Sequence, residues 1–114
     1  ICFAGDGDFQ MSASELGTAM QEGLNPIILI HNNGSYGTIR MHQEMRYPKR
    51  VSGTNLKNPN FKCIAEAYNF GYSKITNLNE FKVAFEKAKI IDVGFIIEML
   101  ADIKDISPGK IIDL

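Results

Sequence analysis

Tryptophan is absent, and cysteine and proline are scarce, with two and four copies among 114 residues. Two cysteines, Cys2 and Cys63, cannot build a disulfide framework, and they lack the spacing of a zinc site. Neither sign of charge dominates: 12 Lys+Arg stand against 13 Asp+Glu, a net charge of −1. This argues against a nucleic-acid-coating protein, which carries a strongly basic balance. The longest unbroken apolar runs are a handful of residues, too short to span a bilayer. No basic start leads into an apolar stretch of the secretory kind. A reducing, cytoplasmic setting is therefore the expectation, with neither nucleic acid nor membrane as partner. The remainder is 45% apolar and 22% charged, as in a globular domain, and the length suits one domain rather than two.

The chain opens on Ile1-Cys2-Phe3-Ala4, which reads as the end of a buried strand. With no initiator Met before it, the expectation is a piece of a longer polypeptide. Residues 5–8, Gly-Asp-Gly-Asp, read as a turn. Ser12 followed by Glu15 is a capping-box pattern, predicting a helix from about Ala13 with Leu16, Ala19 and Met20 inward. Gly23 is its natural stop. The run 27–30, Ile-Ile-Leu-Ile, looks like a strand buried on both faces. It ends in the turn Asn32-Asn33-Gly34. Residues 40–57 set Arg40, Arg46, Lys49, Arg50 and Lys57 against Glu44 alone, a basic and mostly irregular excursion in which 39–45 can form a short helix.

Regular pattern then returns. Asn60 can cap a helix with Phe61, Ile64, Ala65 and Tyr68 on one face and Gly71 at its end. Residues 72–75 form a strand. Asn77 with Glu80 caps a helix whose stripe is Phe81, Ala84, Phe85 and Ala88. Residues 95–100 make a strong strand, and Ser107-Pro108-Gly109 a turn in the tail. Strands alternating with helices predict an α/β fold, a doubly wound parallel sheet with helices on both faces. Ligands of such sheets bind beyond the carboxyl ends of the strands, where the clusters at 5–8 and 32–37 both fall.

Asp6, with glycine on each side, offers a carboxylate where the backbone can be approached closely. Asn33 offers an amide oxygen, and the main chain around it a carbonyl. One carboxylate, one amide and one carbonyl suit Mg²⁺ when phosphate oxygens and water complete the octahedron. Each turn alone is more often only a turn. Other loops do not fit. An EF-hand would need Gly at position 11 and Glu at 17, where Met11 and Gly17 stand. No Gly-Lys-Ser/Thr follows for a Walker loop, and Gln10 occupies the third glycine position of a dinucleotide fingerprint.

Gly5-Asp6-Gly7, then 24 residues, then Asn32-Asn33 resembles the thiamine diphosphate fingerprint. The stretch GDGDFQMSASELGTAMQEGLNPIILIHNNGSYGTIRMHQE is similar to the C-terminal, diphosphate-binding domain of the acetolactate synthase and 2-oxoacid decarboxylase superfamily. The resemblance is clear from residue 1 to about 75 and looser to the end; all of 1–114 would be the C-terminal part of a thiamine diphosphate-binding domain.

The resemblance implies cofactors and roles. Asp6 would be the carboxylate ligand of Mg²⁺, Asn33 its amide ligand, and Ser35 would give its main-chain carbonyl. Gly5, Gly7 and Asp8 would lie against the diphosphate of thiamine diphosphate, with Asp8, often Ser in relatives, turned away or capping locally. Gly34, Tyr36 and Gly37 would shape the loop over the cofactor. A 2-oxoacid such as pyruvate would be the substrate of decarboxylation or carboligation. The glutamate that acts on the aminopyrimidine ring would come from upstream domains and a neighbouring subunit of a homo-oligomer. No catalytic residue is assigned here, and the chain is not expected to turn over alone. A non-catalytic binding module, a benzoylformate-type decarboxylase and an unrelated α/β domain remain alternatives.

Further side chains read more simply. His31 is a packed or rim residue ahead of a catalytic base. His42 and Gln43 fall where relatives place substrate-pocket residues, against a solvated helix face. The basic segment is solvated rather than a substrate clamp, Met41 and Met45 line a pocket or pack, Cys2 is a small buried strand residue, and Cys63 is no nucleophile.

Overall fold

The computed structural model describes residues 1–107 and 110–111, with side chains through residue 104. Its elements run β1 (Cys2–Gly5), α1 (Asp6–Ser12), α2 (Glu15–Gln21), β2 (Ile27–Asn32), α3 (Gly37–Arg46), α4 (Phe61–Ala67), β3 (Gly71–Ile75), α5 (Leu78–Ile90) and β4 (Phe95–Leu100). A short antiparallel pair, β5 (Asp105–Ser107) and β6 (Lys110–Ile111), follows. The Pro108-Gly109 part of the expected tail turn lies outside the described residues.

The strands β1, β2, β4 and β3, in that spatial order, form one wholly parallel sheet. Side chains alternate across a strand, so the Ile-rich runs of β2 and β4 serve two cores. Ile28, Ile30 and Ile96 face Phe9 of α1, Leu16 of α2, and Phe61 and Ala65 of α4. Leu29, Phe95 and Ile97 face Ala84 and Ala88 of α5, with Phe81 and Phe85 alongside. The sheet thus carries helices on both faces. The expected stripes of α4 and α5 are the ones that pack, as are Leu16 and Ala19 of α2, whereas Met20, expected inward, is exposed.

Helix ends explain the boundaries. Asn60 Oδ1 accepts from the N–H groups of Lys62 (3.0 Å) and Cys63 (3.3 Å). Asn77 Oδ1 accepts from Glu80 N–H at 3.0 Å. Gly23, at φ 64°, ends α2, with Leu24 N–H on Ala19 O at 2.8 Å.

Four expectations need correction. Residues 5–8 are no turn: α1 begins at Asp6 directly after β1. Ser12 caps nothing, because it is the last residue of α1, and its hydroxyl donates back to Asp8 O at 3.4 Å. The stop of α4 is Asn69 rather than Gly71. Asn69 adopts φ 57°, with its N–H on Glu66 O and that of Phe70 on Ala65 O at 2.8 Å. Gly71 opens β3 instead, where a β-carbon would collide with the Phe95 ring. Cys2 is exposed, not buried, because β1 is an edge strand. Phe3 on that strand is 77% exposed, and Ile1 just before it 72%.

Candidate functional site

The carboxyl ends of the neighbouring strands β1 and β2 lead into the starts of α1 and the 33–36 loop. Between them lies a cleft of about 220 Å³. Gly5, Asp6, Gly7, Asp8, Asn33, Ser35, Tyr36 and Gly37 all line it, joined by His31, Thr38 and Ile39. The structure therefore brings Gly5, Asp6 and Gly7 of one motif and Asn33 of the other to one place, with Asn32 behind the cleft.

Asp6 is 1% exposed. Its Oδ2 accepts from Gly34 N–H at 2.9 Å and from Asn58 Nδ2 at 2.5 Å. Among the described residues no donor bonds its Oδ1. Gly34 can present its N–H because it sits at φ 67°, in the left-handed region that favours glycine. Asn33 Oδ1 accepts from Ser35 N–H at 3.0 Å, which leaves it one lone pair. The Ser35 hydroxyl donates to Thr54 O at 2.9 Å, so this side chain is committed to the loop and its carbonyl is the group left for a ligand. Asp8 is exposed, and its Oδ2 accepts from Gly5 N–H at 3.2 Å, the local capping expected of it.

Gly7 must be glycine for a packing reason. A β-carbon there would overlap the Tyr36 ring and come within 3.1 Å of Leu56 Cδ1. A β-carbon at Gly37 would stand 2.9 Å from Asn33 Nδ2.

Neither α1 nor α3 has a side chain bonded to its first-turn N–H groups, since Gly5 and Tyr36 are the N-caps. The open amides of α3, from Gly37 to Ile39, line the cleft and suit anionic oxygens. Among the described residues no Lys or Arg lines it, whereas Asp6 and Asp8 do. An anion as charged as a diphosphate fits this cleft only together with a cation. The donors present are hard oxygens: one carboxylate, one amide and one carbonyl. Among the described residues no group of three His, Cys, Asp or Glu could hold a metal unaided. The set fits Mg²⁺ shared with phosphate oxygens.

Sequence reasoning missed the network behind the cleft. Asn58, from the irregular segment after α3, bonds both Asp6 and Asn32 Oδ1, the latter at 2.8 Å. Asn32 Nδ2 passes the chain on to Glu98 Oε1 at 2.7 Å. Glu98 is buried on β4, accepts the Tyr72 hydroxyl proton and lies 3.7 Å from Lys74 Nζ. Burial first, then the adjacent Glu98 carboxylate, pushes the Tyr72 phenol far above its ordinary range. Glu98, a lone acid within an apolar strand, was the visible signal; Asn58 gave none.

The basic segment is largely occupied with folding. Gln43 exchanges two hydrogen bonds with the Ser52 backbone, at 2.8 and 3.2 Å. Arg40 donates to Asn55 Oδ1 at 3.0 Å, and Arg46 and Arg50 flank the Tyr47 ring. Its residues do not line the cleft, and neither does exposed His42. Met41 is half-buried, while Met45 is exposed. His31 is a rim residue, exposed at the end of β2.

The comparisons agree with this geometry. Residues 1–99 match the family model described as the thiamine pyrophosphate enzyme, C-terminal TPP binding domain, thiamine pyrophosphate being thiamine diphosphate. An acetolactate synthase of Arthrospira platensis is 44% identical over 69 residues, covering 59% of this chain and 12% of that protein. A probable acetolactate synthase large subunit of Methanococcus aeolicus is 31% identical over 103 residues, covering 90% and 17%. A solved structure, the Rhodococcus jostii RHA1 thiamine diphosphate-dependent 4-hydroxybenzoylformate decarboxylase, superposes with a TM-score of 0.80 at 26% identity, over 88% of this chain and 19% of that one. The chain thus spans less than a fifth of the length of each of these relatives. It belongs to the thiamine diphosphate-dependent enzymes, as part of their C-terminal cofactor-binding domain.

Proposed function

We propose that this domain anchors the diphosphate of thiamine diphosphate through Mg²⁺, within an acetolactate synthase-like enzyme acting on 2-oxoacids such as pyruvate. One observation carries the reading. Asp6, Asn33 and Ser35 line a single cleft that holds two carboxylates and open α3 amides and, among the described residues, no Lys or Arg. Asp6 Oδ1, the Asn33 amide oxygen and the Ser35 carbonyl would hold the cation. The first turn of α3 would receive phosphate oxygens, and the missing side chain at Gly7 keeps Tyr36 and Leu56 in place around them.

When bound, thiamine diphosphate supplies the electron sink that a 2-oxoacid carbonyl carbon needs for decarboxylation or carboligation. The chain's own residues anchor and orient; the groups acting on the aminopyrimidine would come from upstream domains and a neighbouring subunit of a homo-oligomer. The whole enzyme would work in the cytoplasm. A second reading, a benzoylformate-type decarboxylase, draws on the likeness to the Rhodococcus enzyme.

The test is calorimetric titration of the full native polypeptide with thiamine diphosphate, in Mg²⁺ and then in chelator. Binding in Mg²⁺, lost in chelator and abolished by Asp6→Ala or Asn33→Ala, is expected. Unchanged affinity in either variant would overturn the site.

A further inference from the structure

Asp6 has a two-fold, soft torsion at its carboxylate, so one hydrogen bond cannot fix the plane of the group. Gly34 N–H supplies one bond to Oδ2. The second comes from a residue 52 positions away, Asn58. We propose that Asn58 is the positioning residue of the cation site: it locks the Asp6 carboxylate so that Oδ1 faces the cation. This rests on the Mg²⁺–diphosphate reading above.

Asn58 is itself immobilised on three sides. Its Nδ2 donates to Asp6 Oδ2 and to Asn32 Oδ1, and its Oδ1 accepts from Gln10 Nε2 at 2.8 Å. The orientation of its amide follows from chemistry. An ionised carboxylate only accepts, so Asp6 demands the nitrogen of Asn58. Buried Glu98 likewise demands the nitrogen of Asn32, which turns the Asn32 oxygen toward Asn58. Carboxylates at both ends thus set the sense of the whole chain.

The segment carrying Asn58 is fastened to the metal loop by backbone bonds. Tyr36 N–H donates to Thr54 O at 2.9 Å, and Leu56 N–H to Gly34 O at 2.8 Å. Partners that orient a metal ligand typically change metal affinity about 10–100-fold when removed.

The experiment counts Mn²⁺ bound to the full native polypeptide at saturating thiamine diphosphate, by the electron paramagnetic resonance of the free ion. Asn58→Leu raises the half-saturating Mn²⁺ concentration about ten-fold or more. Asn58→Ser, smaller and easily folded, raises it by a lesser factor. Asn55→Ala, which keeps the backbone bridge to Ser35 and removes only a side chain bonded to Arg40, leaves it within about two-fold, the ordinary reach of a surface change. Equal rises in Asn55→Ala and Asn58→Leu would mean general loosening and overturn the proposal. So would wild-type affinity in both Asn58 variants while Asp6→Ala abolishes uptake; in that case the cation site stands and only the positioning role falls. A wild-type polypeptide that takes up no Mn²⁺ with the cofactor refutes both.

Discussion

Four of the described helices begin in two different ways. α4 and α5 are closed by their own side chains, Asn60 and Asn77, and Glu80 Oε2 reaches back to Thr76 N–H at 2.7 Å. α1 and α3 begin at the cleft with Gly5 and Tyr36, neither of which bonds a first-turn amide through its side chain. Every helix exposes orphan N–H groups at its start. Where α4 and α5 support the sheet, the sequence satisfies them locally; α2, which does not line the cleft, starts at Ser14 with no side-chain cap bond. Where a helix meets the cleft, they stay open. An absent cap alone is therefore no marker; beside buried Asp6 it leaves room for a ligand, while a present cap marks scaffold.

The largest effect that tests this contrast is at Gly7. On helix propensity alone, Ala in place of Gly inside α1 would stabilise by roughly 1 kcal/mol. The Tyr36 ring and Leu56 occupy the space a β-carbon needs. Gly7→Ala is therefore expected to destabilise by about 1–3 kcal/mol in urea unfolding and to weaken cofactor binding. A gain in stability would show that the start of α1 is ordinary helix and break the comparison.

Next comes a capped start. Asn77→Ala removes the bond to Glu80 N–H and costs about 1 kcal/mol. Because that helix end is remote from the cleft lining, thiamine diphosphate affinity stays at the wild-type value. A change in affinity would show that capped ends also serve the site.

The smallest effect is a pH dependence. Hydrogen bonds from the Thr76 backbone, then its side chain, hold the Glu80 carboxyl below its ordinary value of 4.5. Its folded pKa is depressed, so the folded state binds fewer protons. The stabilisation is present above about pH 4.5 and fades as pH falls through the lower folded value. The melting temperature of Glu80→Gln should lie below wild type at neutral pH and converge on it in acid. A gap that persists in acid would remove charge from the account of this cap.

The sequence was most readable where the structure is local. Asn60, Asn77 and Gly23 do what their positions announced, and the alternating strands and helices form the expected parallel sheet. It misled where a tertiary contact outweighed a local pattern. Ser12 and Glu15 make a plausible capping box, yet α1 already runs through Ser12. The glycines around Asp6 suggested a turn, while burial of Phe9 against Phe61 draws the segment into a helix. In the cleft, the two motifs were legible because each is contiguous. Asn58 was not, because a lone Asn before Pro59 in an irregular stretch carries no periodicity and gains meaning only from its neighbours in space.

The link between Asp6 and Asn58 also governs when the cleft can form. It joins residues 52 positions apart, across β2, α3 and the irregular segment after it. Contacts of such separation carry a larger loop-closure cost than helix turns do. The carboxylate therefore reaches its final setting after the helix turns, along with the long-range pairing of the sheet, in which Ile28 of β2 meets Ile96 of β4. In pulsed hydrogen exchange, the Gly34 amide would gain protection with the amides of β2 and β4 and after those of α5.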